Sequence, residues 1–438
     1  MLMQNRKGVS TTLAVAIVVI VIALAAVAYY FVISPSSSTS STSTTSSSGA
    51  LPGKGMSIGV VFDVGGLGDR GFNDLAYQGM INANKTFGVD YFYKISQSTN
   101  DILPNFEALI AQHVNLVVGV GFDMDQAIAQ EAAKYPQQKF AQIDGDDYNL
   151  TNVVAVKFQE NVGSALVGAL AAAMTKTNNI GFVGGMSTGI IYKFWNGYKF
   201  GAEWAAKALG KKVTIQEQYT GPTPAAFNDP VTDQQIGQTM MSSNADIIYA
   251  AAGGSGLGLF NAVGAHDQAA GWNWSNSTAP PVFAIGVDAN QDYYGTRQYF
   301  VLHENQTSFT GYTAPSFVLT SEIKKVDVGV FNVMKSVVYG NFSNIWSNPN
   351  IWGPSFFNGQ TALCGNTGDQ PCHVRNVYVL GLAQGAVGPT PMSYTLQYVP
   401  QQALNLMNQL KQGILNGTIT VPEIYTDTGA SCLLSAGC

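Results

Sequence analysis

The chain has 438 residues and a formal net charge of −6, and only 11% of its residues are charged. This length suggests two or three domains, or one large unit with two lobes. The hydrophobic fraction of 46% is enough to build a sizeable core. Because the overall charge is negative and no basic run stands out, binding to the phosphate backbone of nucleic acid is excluded.

The first segment, residues 1–33, is predicted to be a membrane anchor. Its only charged side chains are Arg6 and Lys7, and no charge follows from Val9 to Ile33. An apolar helix of this length crosses a hydrocarbon layer about 30 Å thick, and positive charges before it favour a cytoplasmic start. The junction at residues 6–9 resembles archaeal class III signal peptides, which are cut after the glycine; an uncleaved anchor is the other interpretation. Both place the remainder on the extracellular face of the cell membrane.

Residues 34–52 are predicted to be a linker. From Ser34 to Ser48 every residue is Ser or Thr except Pro35, and such a run buries no apolar surface and gains nothing by folding. We expect O-glycosylation there. Sequons compatible with N-glycosylation outside the cell begin at Asn84, Asn149, Asn273, Asn276, Asn305, Asn341 and Asn416.

The four cysteines lie late in the chain, at Cys364, Cys372, Cys432 and Cys438. Outside the cell we expect disulfides, and Cys364–Cys372 with Cys432–Cys438 is the simplest of the three connectivities that four cysteines allow. Metal binding is the alternative, but neither pair has C-x-x-C spacing. No cysteine lies near the start of the chain, so we do not expect a lipid-modified cysteine as the anchor.

From Met56 onward, short apolar runs alternate with stretches of helical periodicity. The predicted strands cover 57–62, 89–95, 115–118, 140–143, 153–158, 180–183, 213–218, 247–251 and 282–285. The predicted helices cover 74–87, 103–112, 125–134, 164–175, 193–209, 234–243 and 257–266. Short strands that alternate with longer helices predict parallel sheets with helices on both faces. The fold class is therefore α/β, with two doubly wound lobes.

Glycines and carboxylates follow the predicted strands. Asp63 follows the first strand, Asp144 follows the fourth, and Asp288 comes shortly after the run 282–285. In open α/β sheets the ligand binds beyond the carboxyl ends of the strands. Glycines there let the backbone approach a ligand, and carboxylates accept hydrogen bonds from hydroxyls and amines. The pattern predicts a small, polar, uncharged ligand.

Short motifs then occur in a characteristic order. They are Asp63-Val64-Gly65-Gly66, Phe72-Asn73, Phe158-Gln159-Glu160, Gly181 to Met186, Phe227-x-Asp229-Pro230, Gly286-Val287-Asp288 and Thr320-Ser321-x-x-Lys324. With them, the stretch from Gly59 to about Glu423 resembles the basic membrane protein family of substrate-binding proteins, whose best-understood members are purine nucleoside receptors. The resemblance implies a type I periplasmic-binding fold with a hinge. It also implies delivery of a nucleoside to the permease of an ABC importer.

The same resemblance gives the base of the nucleoside its expected contacts. Phe72 and Phe227 resemble the two aromatic residues that sandwich the base, and Asn73 and Asp144 resemble the groups that bind its edge. Phe72 and Phe227 could instead be ordinary core residues, and we expect Phe194 to be core rather than pocket.

For the sugar, the resemblance implies that Asp288 and Lys324 hold the ribose hydroxyls and that Gly254 lies beside them, while Asp63 positions the first loop. The alternatives are that Asp63 only caps a turn and that Lys324 is only paired with a nearby acid. In the loop before Phe72 the family usually has an acidic residue and a serine at positions 68 and 71, where this chain has glycines, so the base preference stays open.

Other chemistries have less support in the sequence. The run Asp144-x-Asp146-Asp147 could form a metal site but lacks the spacing of an EF-hand. The glycines of 253–258 lack the Gly-Lys-Ser/Thr of a phosphate loop, and the four histidines stand alone without a nucleophile motif. We therefore expect no enzyme activity and no cofactor. A binding protein for a sugar, a nucleoside hydrolase and a subunit of a surface assembly are the alternatives.

The expected boundaries divide the chain into two lobes. Residues 53–176 with about 285–325 are assigned to the first lobe, and residues 177–284 with about 326–438 to the second. Residues 339–374, which are rich in aromatic side chains, look like an insertion relative to the family pattern.

Overall fold

The computed structural model describes residues 50–146, 148, 150–276, 278–303, 311–342 and 377–426. The predicted anchor, nearly all of the linker and the four cysteines lie outside the described residues, and the predicted disulfides do so with them. Within the described part of the chain, no helix has both the length and the apolar character that a membrane crossing requires.

The first lobe is built on a parallel sheet covered by helices. Its strands, in spatial order, are β2 (Asp90–Ile95), β1 (Ser57–Phe62), β3 (Leu116–Val120), β4 (Lys139–Ile143), β5 (Val153–Phe158) and β11 (Val377–Leu380). The connecting helices are α1 (Phe72–Phe87), α2 (Ile102–Ile110) and α3 (Asp125–Lys134). Strand β3 is buried along its whole length, which its continuous apolar run predicts for a parallel strand with both faces covered.

The second lobe repeats this plan. Its strands, in spatial order, are β7 (Thr214–Gly221), β6 (Asn179–Met186), β8 (Ile247–Ala251), β9 (Phe283–Asp288), β10 (Val318–Lys324) and β12 (Val387–Pro389). Strand β12 is antiparallel to β10. The helices are α4 (Glu160–Met174), α5 (Gly189–Ala208), α6 (Pro230–Ser242), α7 (Gly256–Ala269), the short α8 (Arg297–Phe300) and α10 (Gln401–Leu415). The two sheets confirm the predicted two-lobed α/β architecture.

The lobes divide the chain differently from the expected boundaries. Residues 285–325 are expected in the first lobe, but β9 and β10 pair next to β8 in the second sheet. Conversely, helix α9 (Val326–Val338) packs on α1 of the first lobe, and β11 pairs with β5. The chain thus passes between the lobes after β5, after β10 and after β11. Strand order along the sequence does not reveal which sheet edge a late strand joins, because that depends on long-range pairing.

Helices α4 and α5 approach each other closely because glycines line their contact. A Cβ atom at Gly201 would overlap the backbone oxygen of Ala165, and one at Gly168 would overlap that of Tyr198. Neither glycine has a positive φ angle, so the requirement is for space and not for backbone conformation. This pair of helices follows the first crossing between the lobes.

We expect Gly201→Ala to destabilise the protein by about 1–3 kcal/mol, because the added methyl group must push two helix backbones apart. This cost outweighs the gain of up to about 1 kcal/mol that alanine normally brings to a helix. Gly189→Ala is the matched control, since it is also on α5 and a Cβ there would meet nothing closer than 3.5 Å. Denaturant unfolding followed by circular dichroism measures both. Equal stability of Gly201→Ala and the wild type would contradict this account of the helix pair.

Candidate ligand-binding site

A cavity lies between the lobes at the carboxyl ends of both sheets. Its volume, including the part that opens to solvent, is about 550 Å³. The residues that line it are Asp63, Gly65, Asp69, Phe72, Asn73, Gly121, Phe122, Asp144, Ile190, Ile191, Phe194, Phe227, Ala251, Gly253, Val287, Asp288 and Lys324. Both lobes contribute to this wall, so a ligand held there would contact them simultaneously.

The two lobes touch across the cavity. The ring of Phe122, from the first lobe, meets the ring of Phe227 edge to face, with 6.2 Å between their centroids. The side-chain amide of Gln291, from the second lobe, donates a hydrogen bond of 3.2 Å to the backbone oxygen of Arg70. These contacts describe a closed arrangement of the cleft.

The loop between β1 and α1 is held by two carboxylates. Asp63 Oδ1 accepts hydrogen bonds from the backbone N–H of Gly65 and from Asn73 Nδ2, both at 2.8 Å. Asp69 caps the start of α1 by accepting from the backbone N–H groups of Gly71 and Asn73, and it also accepts from Asn73 Nδ2 at 3.1 Å. Both N–H groups of the Asn73 amide are therefore used, and only its oxygen is left to accept a hydrogen bond.

Aromatic side chains line the cavity on both sides. Phe72, from the start of α1, has the ammonium of Lys324 at 4.9 Å from its ring centroid. Phe227 packs against Gly185, where any side chain would overlap its ring. Phe194 lines the cavity and is also 3% exposed, so it serves the pocket as well as the core. Faces of this kind suit a flat, apolar ligand surface.

Two aspartates, one from each lobe, stand at strand ends in an unusual backbone conformation. Asp144 follows β4 with a φ angle of +62°, and Asp288 ends β9 with a φ angle of +61°. This left-handed region is sparsely populated by side chains other than glycine, although aspartate and asparagine tolerate it. Among the described residues, Asp288 Oδ1 is buried without a hydrogen-bond partner. It is thus an acceptor placed in the cavity wall with its hydrogen-bonding capacity unused.

A chain of buried ion pairs extends from the cavity wall into the protein. Lys324 Nζ lies 2.6 Å from Asp144 Oδ2 and 3.1 Å from Glu160 Oε1. Glu160 Oε2 lies 2.6 Å from Lys193 Nζ, which also donates to the backbone oxygen of Phe158 at 2.8 Å. Lys324 therefore lies in the cavity wall and is also paired with acidic side chains. An ammonium has three N–H donors, so at least one stays available to a ligand.

These neighbours control the protonation of the site. Burial alone would lower the pKa of Lys324, but Asp144, Glu160 and Asp288 outweigh it and raise the pKa, so the ammonium stays charged. Burial would raise the pKa of Glu160, but Lys193 and Lys324 outweigh it and lower the pKa. Burial raises the pKa of Asp288 to about 7, with Lys324 opposing the shift and Asp144 adding to it.

The structure brings most of the predicted site residues together. Asp63, Phe72, Asn73, Asp144, Phe227, Asp288 and Lys324 all line the cavity. Gly253 lines it in place of the predicted Gly254, where a Cβ would lie 3.4 Å from Asp69 Cα of the facing lobe.

The wall also contains residues outside the predicted set, among them Asp69, Phe122, Ile190 and Ile191. Phe122 follows strand β3 directly after a glycine, and that position could have identified it. The other three lie in a loop or at the start of a helix, where the sequence pattern carries no such signal.

Metal binding has no counterpart in the described part of the chain, where no cluster of His, Cys, Asp and Glu is arranged to hold an ion. Asp144 is paired with Lys324, and Asp146 is paired with Lys157. The third member of the acidic run, Asp147, lies outside the described residues.

The family model described as Bmp, an ABC transporter substrate-binding protein that is PnrA-like, matches residues 56–352. The chain belongs to this family. Members of the Bmp family bind solutes for ABC transporters and are not enzymes, which agrees with the expected absence of a catalytic motif.

Relatives support this assignment. The chain is 33% identical over 295 residues to an uncharacterised lipoprotein of Pyrococcus horikoshii, covering 66% of this chain and 65% of the relative. The match thus spans less than two thirds of that protein's length. The chain is also 31% identical over 291 residues to the ABC transporter nucleoside-binding protein BmpA of Lactococcus lactis, covering 66% of this chain and 76% of BmpA.

Solved structures agree on the fold. An ABC transporter solute-binding protein from Aeropyrum pernix superposes with a TM-score of 0.64 at 25% identity, covering 84% of this chain and 94% of the other. A second solute-binding protein, from Conexibacter woesei, superposes with a TM-score of 0.54 at 18% identity and covers 84% of this chain and 99% of the other. The chain thus has the predicted type I periplasmic-binding fold.

We expect Lys193→Met to cost about 3–5 kcal/mol of stability, because it leaves the buried carboxylate of Glu160 with one cation fewer. Lys134→Met is the matched control: Lys134 also contacts two acids, but its side chain is 46% exposed, so the change should cost much less than Lys193→Met. Urea unfolding of the two variants gives the comparison. Similar small losses in both would show that the buried charge chain contributes little.

Proposed function

We propose that this protein captures a purine nucleoside outside the cell and delivers it to the permease of an ABC importer. The observation that carries the proposal is the composition of the cavity wall. It combines aromatic rings from both lobes with Asp288, a buried carboxylate that has an unused acceptor oxygen. A nucleoside has a flat base that can stack on the aromatic rings and vicinal hydroxyls that can donate hydrogen bonds to Asp288.

The aromatic residues favour a base over a sugar alone. Phe72 comes from the first lobe and Phe227 from the second, and each base has two faces that can stack on aromatic rings. Stacking from opposite lobes would hold the cleft closed around the base. The name of the Lactococcus lactis relative, a nucleoside-binding protein, supports the same ligand class.

The polar residues favour a ligand with hydroxyl groups. Asp288 accepts and does not donate when it is ionised, and Lys324 donates and does not accept. Together they match hydroxyl groups, which both donate and accept hydrogen bonds. We assign Asp288 and Lys324 to the ribose and Asn73 and Asp144 to the edge of the base.

The location follows from the first segment of the chain. We propose that the apolar run from Val9 to Ile33 anchors the protein and that the linker of residues 34–52 lets the lobes reach the permease. The names of relatives include lipoproteins and basic membrane proteins, which are consistent with attachment at the membrane.

Replacing Asp288 tests the sugar contact. In Asp288→Asn the affinity for adenosine, guanosine or inosine should fall about tenfold or more, because hydrogen bonds to charged groups contribute about 1.5–3 kcal/mol each. Asparagine tolerates the left-handed backbone at this position, so the variant should stay folded. The free bases lack ribose and should bind weakly and equally to both proteins in calorimetry. A nucleoside affinity that does not change would remove Asp288 from the site.

Replacing the aromatic residues tests the base contact. Phe72→Ala and Phe227→Ala should each weaken nucleosides and free bases alike by about 1–3 kcal/mol, as the loss of stacking does. Leu67→Ala is the control: it lies in the loop before α1 but not in the cavity wall, and it should change affinity much less. Equal effects of Leu67→Ala and Phe72→Ala would contradict the stacking role.

The ligand itself can be identified directly. Mass spectrometry of small molecules released from the purified, denatured protein should find a purine nucleoside. A released sugar with no nucleoside binding would leave the transport role in place and overturn the ligand. Release of ribose from a nucleoside by the purified protein would instead indicate a hydrolase.

A further inference from the structure

The motif Thr320-Ser321-x-x-Lys324 contributes only one of its residues to the cavity. Lys324 lines the cavity wall, whereas Thr320 and Ser321 are buried and do not line it. Their side chains instead enter a network of hydrogen bonds inside the second lobe. This network leads to Gln291, whose side chain contacts the first lobe.

The centre of the network is the carboxylate of Asp292. Its Oδ1 accepts a hydrogen bond from the hydroxyl of Ser321 at 2.7 Å, and its Oδ2 accepts one from the hydroxyl of Thr390 at 2.6 Å. The hydroxyl of Thr390 lies 2.8 Å from that of Thr320 and also accepts from the backbone N–H of Ser321 at 2.9 Å. All four side chains are buried. Because the hydroxyl hydrogen of Ser321 points to Asp292, the oxygen of Ser321 is left as an acceptor.

The network fixes both the backbone and the side chain of Gln291, which is buried. The backbone N–H of Gln291 donates to Ser321 Oγ at 2.9 Å. The side-chain Oε1 accepts from the backbone N–H of Val287, also at 2.9 Å. Since Oε1 is engaged there, the amide presents Nε2 on its other side, where it donates to the backbone oxygen of Arg70 at 3.2 Å. Contacts within the second lobe therefore set the orientation of this amide.

The acceptor on the first lobe is also held in place. Arg70 has a φ angle of +56°, in the left-handed region that few residues other than glycine adopt. Asp74 holds this turn by accepting from the backbone N–H groups of Gly68 at 2.8 Å and of Arg70 at 3.1 Å. Asp69 accepts from the backbone N–H of Gly71 at 2.9 Å. Both partners of the hydrogen bond between the lobes are thus prearranged by contacts within their own lobes.

This hydrogen bond lies beside the cavity and not in its wall. Neither Gln291 nor Arg70 lines the cavity, although the Arg70 turn leads directly into α1, whose first residue, Phe72, does. A Cβ atom at Gly71 would lie 3.9 Å from Gln291 Nε2 and 3.9 Å from Asp288 Oδ2, so the turn approaches the second lobe closely. Because the two bonded groups belong to different lobes, the bond exists only while the cleft is closed.

We propose that Gln291 is a positioning residue for lobe closure, which holds the cleft shut around the ligand without contacting it. The buried network keeps its side chain in the orientation that reaches Arg70. An interaction made only in the closed form shifts the balance between the open and closed forms by its own free energy. It therefore strengthens the binding of every ligand that the closed cleft holds by the same factor. The inference rests on the proposed function, to which it adds the residues that control how long the nucleoside stays bound.

The variant Gln291→Glu removes the donor and keeps the rest of the arrangement. Glutamate retains an oxygen for the N–H of Val287 but places a second oxygen opposite the backbone oxygen of Arg70. A ligand enters the open cleft and leaves only after the cleft opens, so we expect faster dissociation with unchanged association. The loss of one hydrogen bond corresponds to a change of about two- to tenfold, and the repulsion between the two oxygens should place Gln291→Glu at the upper end.

Surface plasmon resonance of the full-length protein in detergent separates the two rates, with adenosine, inosine and the free base hypoxanthine as probes. In Gln291→Glu the dissociation rate should rise by a similar factor for all three probes, while the association rates stay within about twofold of the wild type. This result would differ from that of Asp288→Asn, which should weaken the nucleosides and not the free base. A residue that contacts the ligand cannot give the uniform effect.

Two further variants complete the test. Ser321→Ala removes the hydroxyl that holds the backbone N–H of Gln291, and it should raise the dissociation rates in the same uniform way but by less. Gln238→Glu adds the same charge at an exposed position on α6 of the same lobe and should leave both rates unchanged. Denaturant unfolding without ligand shows whether each variant is folded; if Gln291→Glu is not, the result of Ser321→Ala decides.

Unchanged dissociation rates in folded Gln291→Glu and Ser321→Ala would overturn the inference and leave the proposed function in place. A loss of affinity that comes from slower association, or one confined to the nucleosides, would overturn it in the same way. Failure of all three probes to bind the wild type would overturn the proposed function and this inference together.

Discussion

The ion chain that runs from Asp144 through Lys324 and Glu160 to Lys193 is the interaction on which the site depends. Asp144 belongs to the first lobe, Glu160 directly follows the first crossing between the lobes, and Lys324 directly precedes the second. A buried charge is stable only beside its partner, so these side chains fix the two crossing segments relative to the end of β4. The ion chain that fixes the hinge segments therefore includes two residues of the cavity wall, Asp144 and Lys324.

The same constraint shapes which ligands the cavity suits. Lys324 is the single cation in the described wall, against the carboxyl groups of Asp63, Asp69, Asp144 and Asp288. Of these acids, Asp144 is paired with Lys324 and Asp288 lies near it. An added phosphate would meet like charges at short range, which is costly in a buried site. An uncharged nucleoside avoids this cost, and it can use the carboxyls as hydrogen-bond partners.

Much of this arrangement could be predicted from the sequence, because parallel strands place their last residues at one edge. The alternation of short apolar runs and helical stretches identified the strands, and the positions after them included Asp63, Asp144 and Asp288. Long-range pairing could not be predicted. Asp144, one partner of Lys324, lies 180 residues away, and β9 and β10 join the second sheet because β9 pairs with β8 and β10 pairs with β9, which leaves no local pattern. The edge contact between Phe122 and Phe227 depends on how the lobes close.

The left-handed backbone at Asp144 and Asp288 explains why acids stand at these two strand ends. A strand that continued in its extended conformation would send the next side chain to one face of the sheet, whereas a positive φ angle turns the chain at the carboxyl edge, where the ligand lies. Glycine would make this turn without strain but offers no side chain, and most other residues cannot make it. Aspartate does both, at a cost of order 1–3 kcal/mol in backbone strain. The surrounding sheet must supply this energy, so pocket geometry and core packing are coupled through the same two residues.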